Sequence, residues 1–140
     1  MAFEYRKGAL CAEQVPLEEI ARRFGTPCYV YSRAAIEGSY GEFLRALAAV
    51  ERAIEATGLD VDLQLKGAGV LEIEFHDGSR MIVNRHAAAR EIWVAAKSGG
   101  FHFCHDGKAW RDTRDGAELF AVLSRLVSAQ GGAPVTLQPG

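Results

Sequence analysis

The sequence has few cysteines, no marked excess of charge and no long apolar run, and each absence excludes a class of protein. Its three cysteines, Cys11, Cys28 and Cys104, are odd in number and far apart, which predicts reduced thiols rather than a disulfide framework. The formal net charge of −2 gives no field for nucleic acid or anionic lipid. No apolar run approaches the roughly 20 residues of a membrane span. We therefore expect neither a nucleic-acid nor a membrane partner.

The amino terminus lacks the basic region and apolar stretch of a secretory signal, so we expect a cytoplasmic protein. What is present is ordinary for a folded domain, because 49% of the 140 residues are hydrophobic and 24% are charged. A chain of this length and composition can bury one core.

The first of two predicted helices covers residues 40–57, where apolar side chains recur with the helical period. Ser39 and Glu42 have the spacing of a capping box, and Gly58 suits the left-handed end of a helix. The apolar stripe consists of Phe43, Leu47, Val50 and Ile54.

The second predicted helix lies near the carboxyl end, with Asp115 and Glu118 as a capping pair and Gly131 beyond its last turn. Its apolar stripe consists of Leu119, Phe120, Leu123, Leu126 and Val127. Like the first helix, it is amphipathic and needs another element to cover that stripe.

Between the helices, polar and apolar residues alternate, as in strands with one covered face. DVDLQL (60–65) and VLEIEF (70–75) precede HDGS (76–79), an Asp-Gly hairpin signal, and RMIVNR (80–85). Short turns predict an antiparallel meander of roughly five to seven strands, of which two helices cover only one face. The other face must meet solvent or a partner.

Trp93 is predicted to lie on that uncovered face. In REIWVAAKSGG (90–100), Ile92 and Val94 share one side of the extended chain, whereas Glu91 and Trp93 share the other. If the aliphatic pair points at the helices, Trp93 points away from them. The alternation alone leaves open whether Trp93 recognises a partner or lies flat over its neighbours in a structural role.

Several motifs of residues 38–140 resemble one known family. VLEIEFHDGSRMIVNR, EIWVAAKSGGFHF and AWRDTRDGAELFAVLSRLVSAQGG are similar to the frataxin family, in particular its bacterial CyaY branch. The resemblance implies an α+β fold, the frataxin-like two-layer sandwich with two helices packed on one face of an antiparallel β-sheet. It also implies a non-enzymatic, iron-binding accessory role in iron–sulfur cluster assembly, with a cysteine desulfurase and an iron–sulfur scaffold protein as partners. We expect a monomer.

Residues 1–37 resemble a different family. FEYRKGALCAEQVPLEEIARRFGTPCYVYSRAAIE is similar to the extreme amino terminus of diaminopimelate decarboxylase, a pyridoxal-phosphate enzyme. The cofactor lysine of that family follows in a motif resembling AVKAN, which this chain lacks, and a barrel of about 250 residues cannot fit in what remains. We therefore expect a fused appendage without pyridoxal phosphate. A truncated decarboxylase-like protein is the rival hypothesis.

The appendage has a local pattern of its own. Pro16 at a helix start and Gly25 as a stop predict a short helix, and CYVYS (28–32) predicts a strand. The apolar face of that helix would consist of Leu17, Ile20, Ala21 and Phe24. Such a segment has too little core for independent stability.

Four carboxylates are candidate ligands for iron, because hard cations prefer oxygen. Glu51 and Glu55 are four residues apart on one helix flank, and Asp60 and Asp62 follow on the outward face of the first sheet strand. They correspond to the acidic ridge of the frataxin family, and the resemblance implies weak iron binding there. Because that family usually carries a longer acidic run, the alternatives are a merely solvated surface and an interaction module without iron affinity.

A second candidate metal site consists of His102, Cys104 and His105, which would suit zinc or another borderline metal. His102 and Cys104 share a strand face, but no second pair stands at ligand spacing. Phe101 and Phe103, entering the core, explain the strand without a metal.

The resemblance also implies a surface for partner proteins. In the frataxin family, the sheet face bearing the equivalents of Asn84 and Trp93 meets the scaffold and the desulfurase, and Arg85 ends the same strand as Asn84. NRHAAARE (84–91) has alanines where that family commonly has a proline, which implies a looser turn and bears on partner affinity more than on the fold.

Overall fold

The computed structural model describes residues 2–67 and 69–140. The chain divides into two compact units, Met1–Glu42 and Phe43–Gly140. No helix within the described residues is both long and apolar enough to cross a membrane.

The first unit contains a small antiparallel sheet and a short helix. Its elements are β1 (Phe3–Arg6), β2 (Ala9–Ala12), β3 (Val15–Pro16) and α1 (Leu17–Phe24). Lys7 and Gly8 join β1 to β2, and both have positive φ, as a two-residue hairpin turn of this kind requires. The predicted helix is confirmed, with Pro16 before its first residue and Gly25 at its end.

The strand predicted at residues 28–32 is wrong, because that segment is irregular. Much of the apolar surface of the first unit is exposed, including Tyr29 at 91% and Tyr31 at 74%. Helix α1 has no buried residue. Three strands of two to four residues provide too little surface to cover the apolar face of a helix.

Helix α2 (Arg33–Glu55) begins before the predicted start. Ser32 Oγ accepts a hydrogen bond from the backbone N–H three residues later at 3.0 Å, and the Glu13 carboxylate accepts another from a first-turn N–H, also at 3.0 Å. These acceptors satisfy donors that a helix start leaves open, and the carboxylate also complements the helix dipole. The capping box predicted with Ser39 and Glu42 is therefore wrong.

The second unit contains six antiparallel strands, each paired with its neighbours in the sequence. They are β4 (Val61–Lys66), β5 (Val70–Phe75), β6 (Arg80–His86), β7 (Glu91–Ala96), β8 (Gly99–His105) and β9 (Trp110–Asp112). The predicted meander is confirmed.

Helix α3 (Leu119–Gly131) follows the sheet. Glu118 caps it alone, because its carboxylate accepts hydrogen bonds from two first-turn N–H groups at 2.9 and 3.2 Å. Asp115 instead accepts a hydrogen bond from the backbone N–H two residues later. The left-handed residue at the end is Gly132, with φ of 74°, and Gly131 is the last helical residue.

The two helices cover one face of the sheet, which confirms the α+β two-layer sandwich. The most buried strand residues on that face are at most 2% exposed, and they are Leu71, Ile73, Phe75, Met81, Val83, Ile92, Val94 and Phe103. The buried helix residues are Phe43, Ala46, Leu47, Val50 and Ile54 of α2 and Leu119, Phe120, Val122, Leu123, Leu126 and Val127 of α3. Leu65, predicted on the covered face, is 57% exposed because it lies near the end of the edge strand β4.

Candidate functional site

The sheet face opposite the helices carries a row of side chains centred on Trp93. Asn84 of β6 pairs with Trp93 of β7, which pairs with His102 of β8. Ile92 and Val94, on either side of Trp93 in the chain, are each 1% exposed, whereas Trp93 is 37% exposed. Because successive strand residues point to opposite faces, the indole points away from the core, as predicted.

A second row lies beside the first on the same face. His86 of β6 pairs with Glu91 of β7, Glu91 pairs with Cys104 of β8, and Cys104 pairs with Arg111 of β9. Adjacent rows on one face are close enough for diagonal contacts between long or aromatic side chains. Trp93 can therefore reach both His86 and Glu91.

The Glu91 carboxylate joins the two rows. Its Oε2 accepts a hydrogen bond from the indole Nε1 of Trp93 at 2.8 Å and lies 3.1 Å from Nδ1 of His102. Its Oε1 accepts a weaker hydrogen bond from the Cys104 thiol at 3.7 Å. We call Glu91, Trp93, His102 and Cys104, together with His86, the Trp93 cluster.

Two imidazoles flank the indole. His86 stacks on Trp93 with 4.2 Å between ring centroids and 6° between ring planes. His102 lies 4.6 Å away at a tilt of 53°. Aromatic contacts in this distance range stabilise by about 0.5 to 1.5 kcal/mol beyond simple burial. The exposed indole is therefore held on several sides.

The electrostatics of the cluster favour an ionised carboxylate and a protonated thiol. Hydrogen bonds from Trp93 and then His102 lower the pKa of Glu91 below its ordinary value. Partial burial and the neighbouring Glu91 charge raise the pKa of the Cys104 thiol. Since the thiolate is the nucleophilic form of cysteine, the raised pKa makes Cys104 a poor candidate for a nucleophile.

The structure does not bring the second candidate metal site together. His105 pairs with Trp110 of β9, and their rings meet edge to face at 5.1 Å. Alternation along β8 places His105 on the opposite face from His102 and Cys104. In the part of the chain that the structure describes, no three His, Cys, Asp or Glu residues are grouped to hold a metal ion.

The four acidic candidates lie at the surface around the end of α2 and the start of β4. Glu55, Asp60 and Asp62 are exposed and Glu51 is half-buried. Asp62 accepts a hydrogen bond from the side-chain amide of Gln64 at 3.1 Å. Across residues 2–67 and 69–140 no metal-holding group of three exists, so these carboxylates form no ready-made cage.

Asn84 and Arg85 belong to different faces of the sheet. Asn84 is exposed beside Trp93, whereas Arg85 pairs with Ile92 and is half-buried on the side of the helices. Successive residues of a regular strand point to opposite faces of the sheet. The sequence alone therefore already indicated that Asn84 and Arg85 lie on different faces.

The sequence alone did not identify His86 or Glu91 as residues that hold the indole. The contact of His86 with the indole depends on the register between β6 and β7, which places His86 opposite Glu91. The signal that could have identified Glu91 is its spacing of two residues from Trp93.

Comparison with known proteins matches this sandwich to a family. Residues 34–133 match the frataxin-like domain. The chain belongs to the frataxin-like family. The iron-sulfur cluster assembly protein CyaY of Dechloromonas aromatica strain RCB is 56% identical over 94 residues, which are 67% of this chain and 90% of that protein. The protein of the same name from Janthinobacterium sp. strain Marseille is 58% identical over 92 residues, or 65% of this chain and 81% of that protein.

A solved structure supports the same assignment. Frataxin from Psychromonas ingrahamii, of the CyaY protein family, superposes with a TM-score of 0.61 at 29% identity. The match covers 71% of this frataxin-like chain and 97% of that protein. The family match begins at residue 34, so the decarboxylase resemblance of residues 1–37 stays a prediction.

Proposed function

We propose that this frataxin-like chain is an accessory protein of iron–sulfur cluster assembly that docks on a cysteine desulfurase and its scaffold protein. The observation that carries the proposal is the indole of Trp93, which is 37% exposed at the centre of an uncovered sheet face. Relatives named for iron–sulfur cluster assembly support the pathway. In this proposal the protein is a cytoplasmic monomer and its role is non-enzymatic.

Trp93 and Asn84 form the centre of the proposed docking surface. Tryptophan is enriched among the few residues that dominate interface energetics, because it buries a large area when it is desolvated. Asn84 lies directly beside it in the same cross-strand row and provides an exposed amide. Arg85 is left out of this surface, because it lies on the helix-covered side.

The proposed iron ligands are Glu51, Glu55, Asp60 and Asp62. Carboxylate oxygens suit ferrous iron, and the exposure of three of the four leaves them open to a hydrated ion. Since no group of three ligands is gathered within residues 2–67 and 69–140, one or two carboxylates would hold iron while water completes its coordination. Weak, exchangeable binding follows, which fits an ion that is cargo rather than a resident cofactor. The proposal includes no pyridoxal phosphate.

An activity assay tests the docking proposal. Cysteine desulfurase turnover in the presence of scaffold protein is measured with and without this chain and with and without ferrous iron. The chain should change the rate, and Trp93→Ala should abolish the change. Leu65→Ala is the matched control, because Leu65 is an exposed apolar residue of the same sheet but lies on the edge strand. A rate that is unchanged at saturating amounts of the unsubstituted chain refutes the proposal.

A further inference from the structure

We infer that Glu91 is the positioning residue for Trp93, and that the partner contacts the indole as an apolar surface rather than as a hydrogen-bond donor. The inference rests on the proposed function, since it concerns how the same face engages its partner. It assigns a role to a carboxylate that lies outside the acidic set proposed for iron.

The indole N–H already has its acceptor within the protein. Trp93 Nε1 donates to Glu91 Oε2 at 2.8 Å, a normal length for a bond from a neutral donor to a carboxylate. An indole has one polar hydrogen, so a partner can hydrogen-bond Trp93 only by breaking this contact. What the partner meets is therefore the carbon surface of the ring.

The Glu91 carboxylate is itself fixed. His102 lies opposite Trp93 across the β7–β8 pairing and contacts the same oxygen at 3.1 Å, while the Cys104 thiol contacts the other oxygen at 3.7 Å. The Glu91 side chain is only 19% exposed, although it lies on the uncovered face. A carboxylate with three donors around it has little freedom to swing away.

His86 completes the clamp from the other side of the indole. Its ring is nearly parallel to the indole at 4.2 Å, so it covers one aromatic face, while Glu91 holds the nitrogen edge. His102 contacts the indole as well, with 4.6 Å between ring centroids, and the ring surface that these three residues leave uncovered accounts for the exposed fraction. Trp93 thus has one preferred orientation before any partner arrives.

A pre-ordered side chain strengthens binding because the loss of its rotational freedom does not oppose association. Immobilising one side chain at an interface typically weakens affinity by roughly two- to tenfold, and a clamp present in the free protein removes that cost. Removing the Glu91 carboxylate should weaken docking by about that factor. The effect must vanish when Trp93 is absent, because Glu91 acts through it.

Two measurements on the full chain test the inference, both in a Trp110→Phe background so that Trp93 is the one emitter. Time-resolved fluorescence anisotropy reports local motion of the indole, and titration with the desulfurase–scaffold complex reports affinity. Glu91→Ala should increase the indole motion and weaken binding by about two- to tenfold. Glu91→Gln keeps a carbonyl oxygen that can accept the N–H and should recover part of both effects. Glu74→Ala, which removes another carboxylate from the same face, should change neither.

A double-mutant cycle separates positioning from direct contact. In a Trp93→Ala background, Glu91→Ala should have no further effect on affinity. A full effect in that background would show that Glu91 touches the partner itself and would overturn the inference, as would unchanged indole motion in Glu91→Ala. If the unsubstituted chain fails to bind the complex, the proposed function fails and the docking role of Glu91 with it. Binding without any dependence on Glu91 refutes the inference alone.

Discussion

The imidazole of His86 lies flat against the indole of Trp93, 4.2 Å away between centroids and 6° from parallel. The two residues belong to neighbouring strands, and their rings meet on the sheet face opposite α2 and α3. One side of the indole is thus protected while 37% of the residue stays exposed. Trp93 is neither a core residue nor a freely moving surface residue. Its substitution should therefore change the binding of a partner at this face more than it changes folding stability.

A chain beginning at Gly38 should fold and unfold cooperatively, because every buried residue of the sandwich lies after Glu42. It loses the first residues of α2 and the Ser32 cap, and a lost cap typically costs about 1 kcal/mol. Thermal unfolding followed by circular dichroism measures this change. A chain beginning at Ser32 is the control that keeps the cap. Absence of a thermal transition in the shorter chain would show that residues 1–37 belong to the core.

Replacing Glu51, Glu55, Asp60 and Asp62 together by alanine should abolish ferrous iron binding with little loss of stability. Exposed charges are screened beyond about 8 Å at physiological ionic strength, so added salt should also weaken iron binding to the unsubstituted chain. Anaerobic calorimetric titration measures both effects. The control variant has alanine at Glu4, Glu18, Glu19 and Glu37. It loses the same number of negative charges, but from the first unit. Iron binding that survives in the first variant, or falls equally in the control, contradicts the assigned ligands.

The carboxyl-terminal tail should contribute to the stability of the sandwich through Leu137, which is 3% exposed. Its backbone N–H donates to Ser124 Oγ of α3 at 2.8 Å, which holds the tail against the helix. Leu137→Ala should lower the free energy of unfolding by about 2 to 4 kcal/mol through lost burial and the cavity left behind. Urea denaturation measures the change, with exposed Gln138→Ala as the control. Equal midpoints for the two variants would contradict the role of the tail.

Asp106 should make stability depend on acidic pH. Hydrogen bonds from the backbone of Ala109 and Lys108 and from the side chain of Arg111 lower the pKa of Asp106 from 3.8 to about 2. The ionised form is favoured by folding, so this contribution is complete above about pH 4 and is lost as the pH falls towards about 2. Asp106→Asn should reduce stability at neutral pH and flatten the acid part of the profile. Identical profiles for the two proteins would show that the folded-state pKa of Asp106 is not lowered.

The sequence predicts the sandwich well where the signal is local. Alternation in VLEIEF and the Asp-Gly turn after it fix β5 and β6, and the helical stripe ending before Gly58 fixes the end of α2. The start of α2 depends on a distant residue, because the Glu13 carboxylate accepts a hydrogen bond from the backbone N–H of Ala34, 21 residues later in the chain. An apolar run such as residues 28–32 likewise needs a partner strand that the sequence cannot assign.

Of the candidate site, only the features that depend on local sequence are predictable. Alternation places Trp93 outward and Ile92 inward, and the same rule applied to Asn84 would have separated Arg85 from it. The contact of His86 with Trp93 depends on the register across the connection between β6 and β7. Residue types alone do not specify that register.

The most direct test of the central claim, that the uncovered face around Trp93 is the docking surface, compares stability and binding in Trp93→Ala. A core tryptophan changed to alanine costs about 3 to 5 kcal/mol of folding free energy, and a partly exposed one should cost clearly less. Truncating an interface tryptophan removes about 2 kcal/mol or more of binding free energy, roughly a thirtyfold loss of affinity. We predict that Trp93→Ala unfolds close to the unsubstituted chain yet binds the desulfurase–scaffold complex at least thirtyfold more weakly. Unchanged affinity in a folded Trp93→Ala protein would contradict the account.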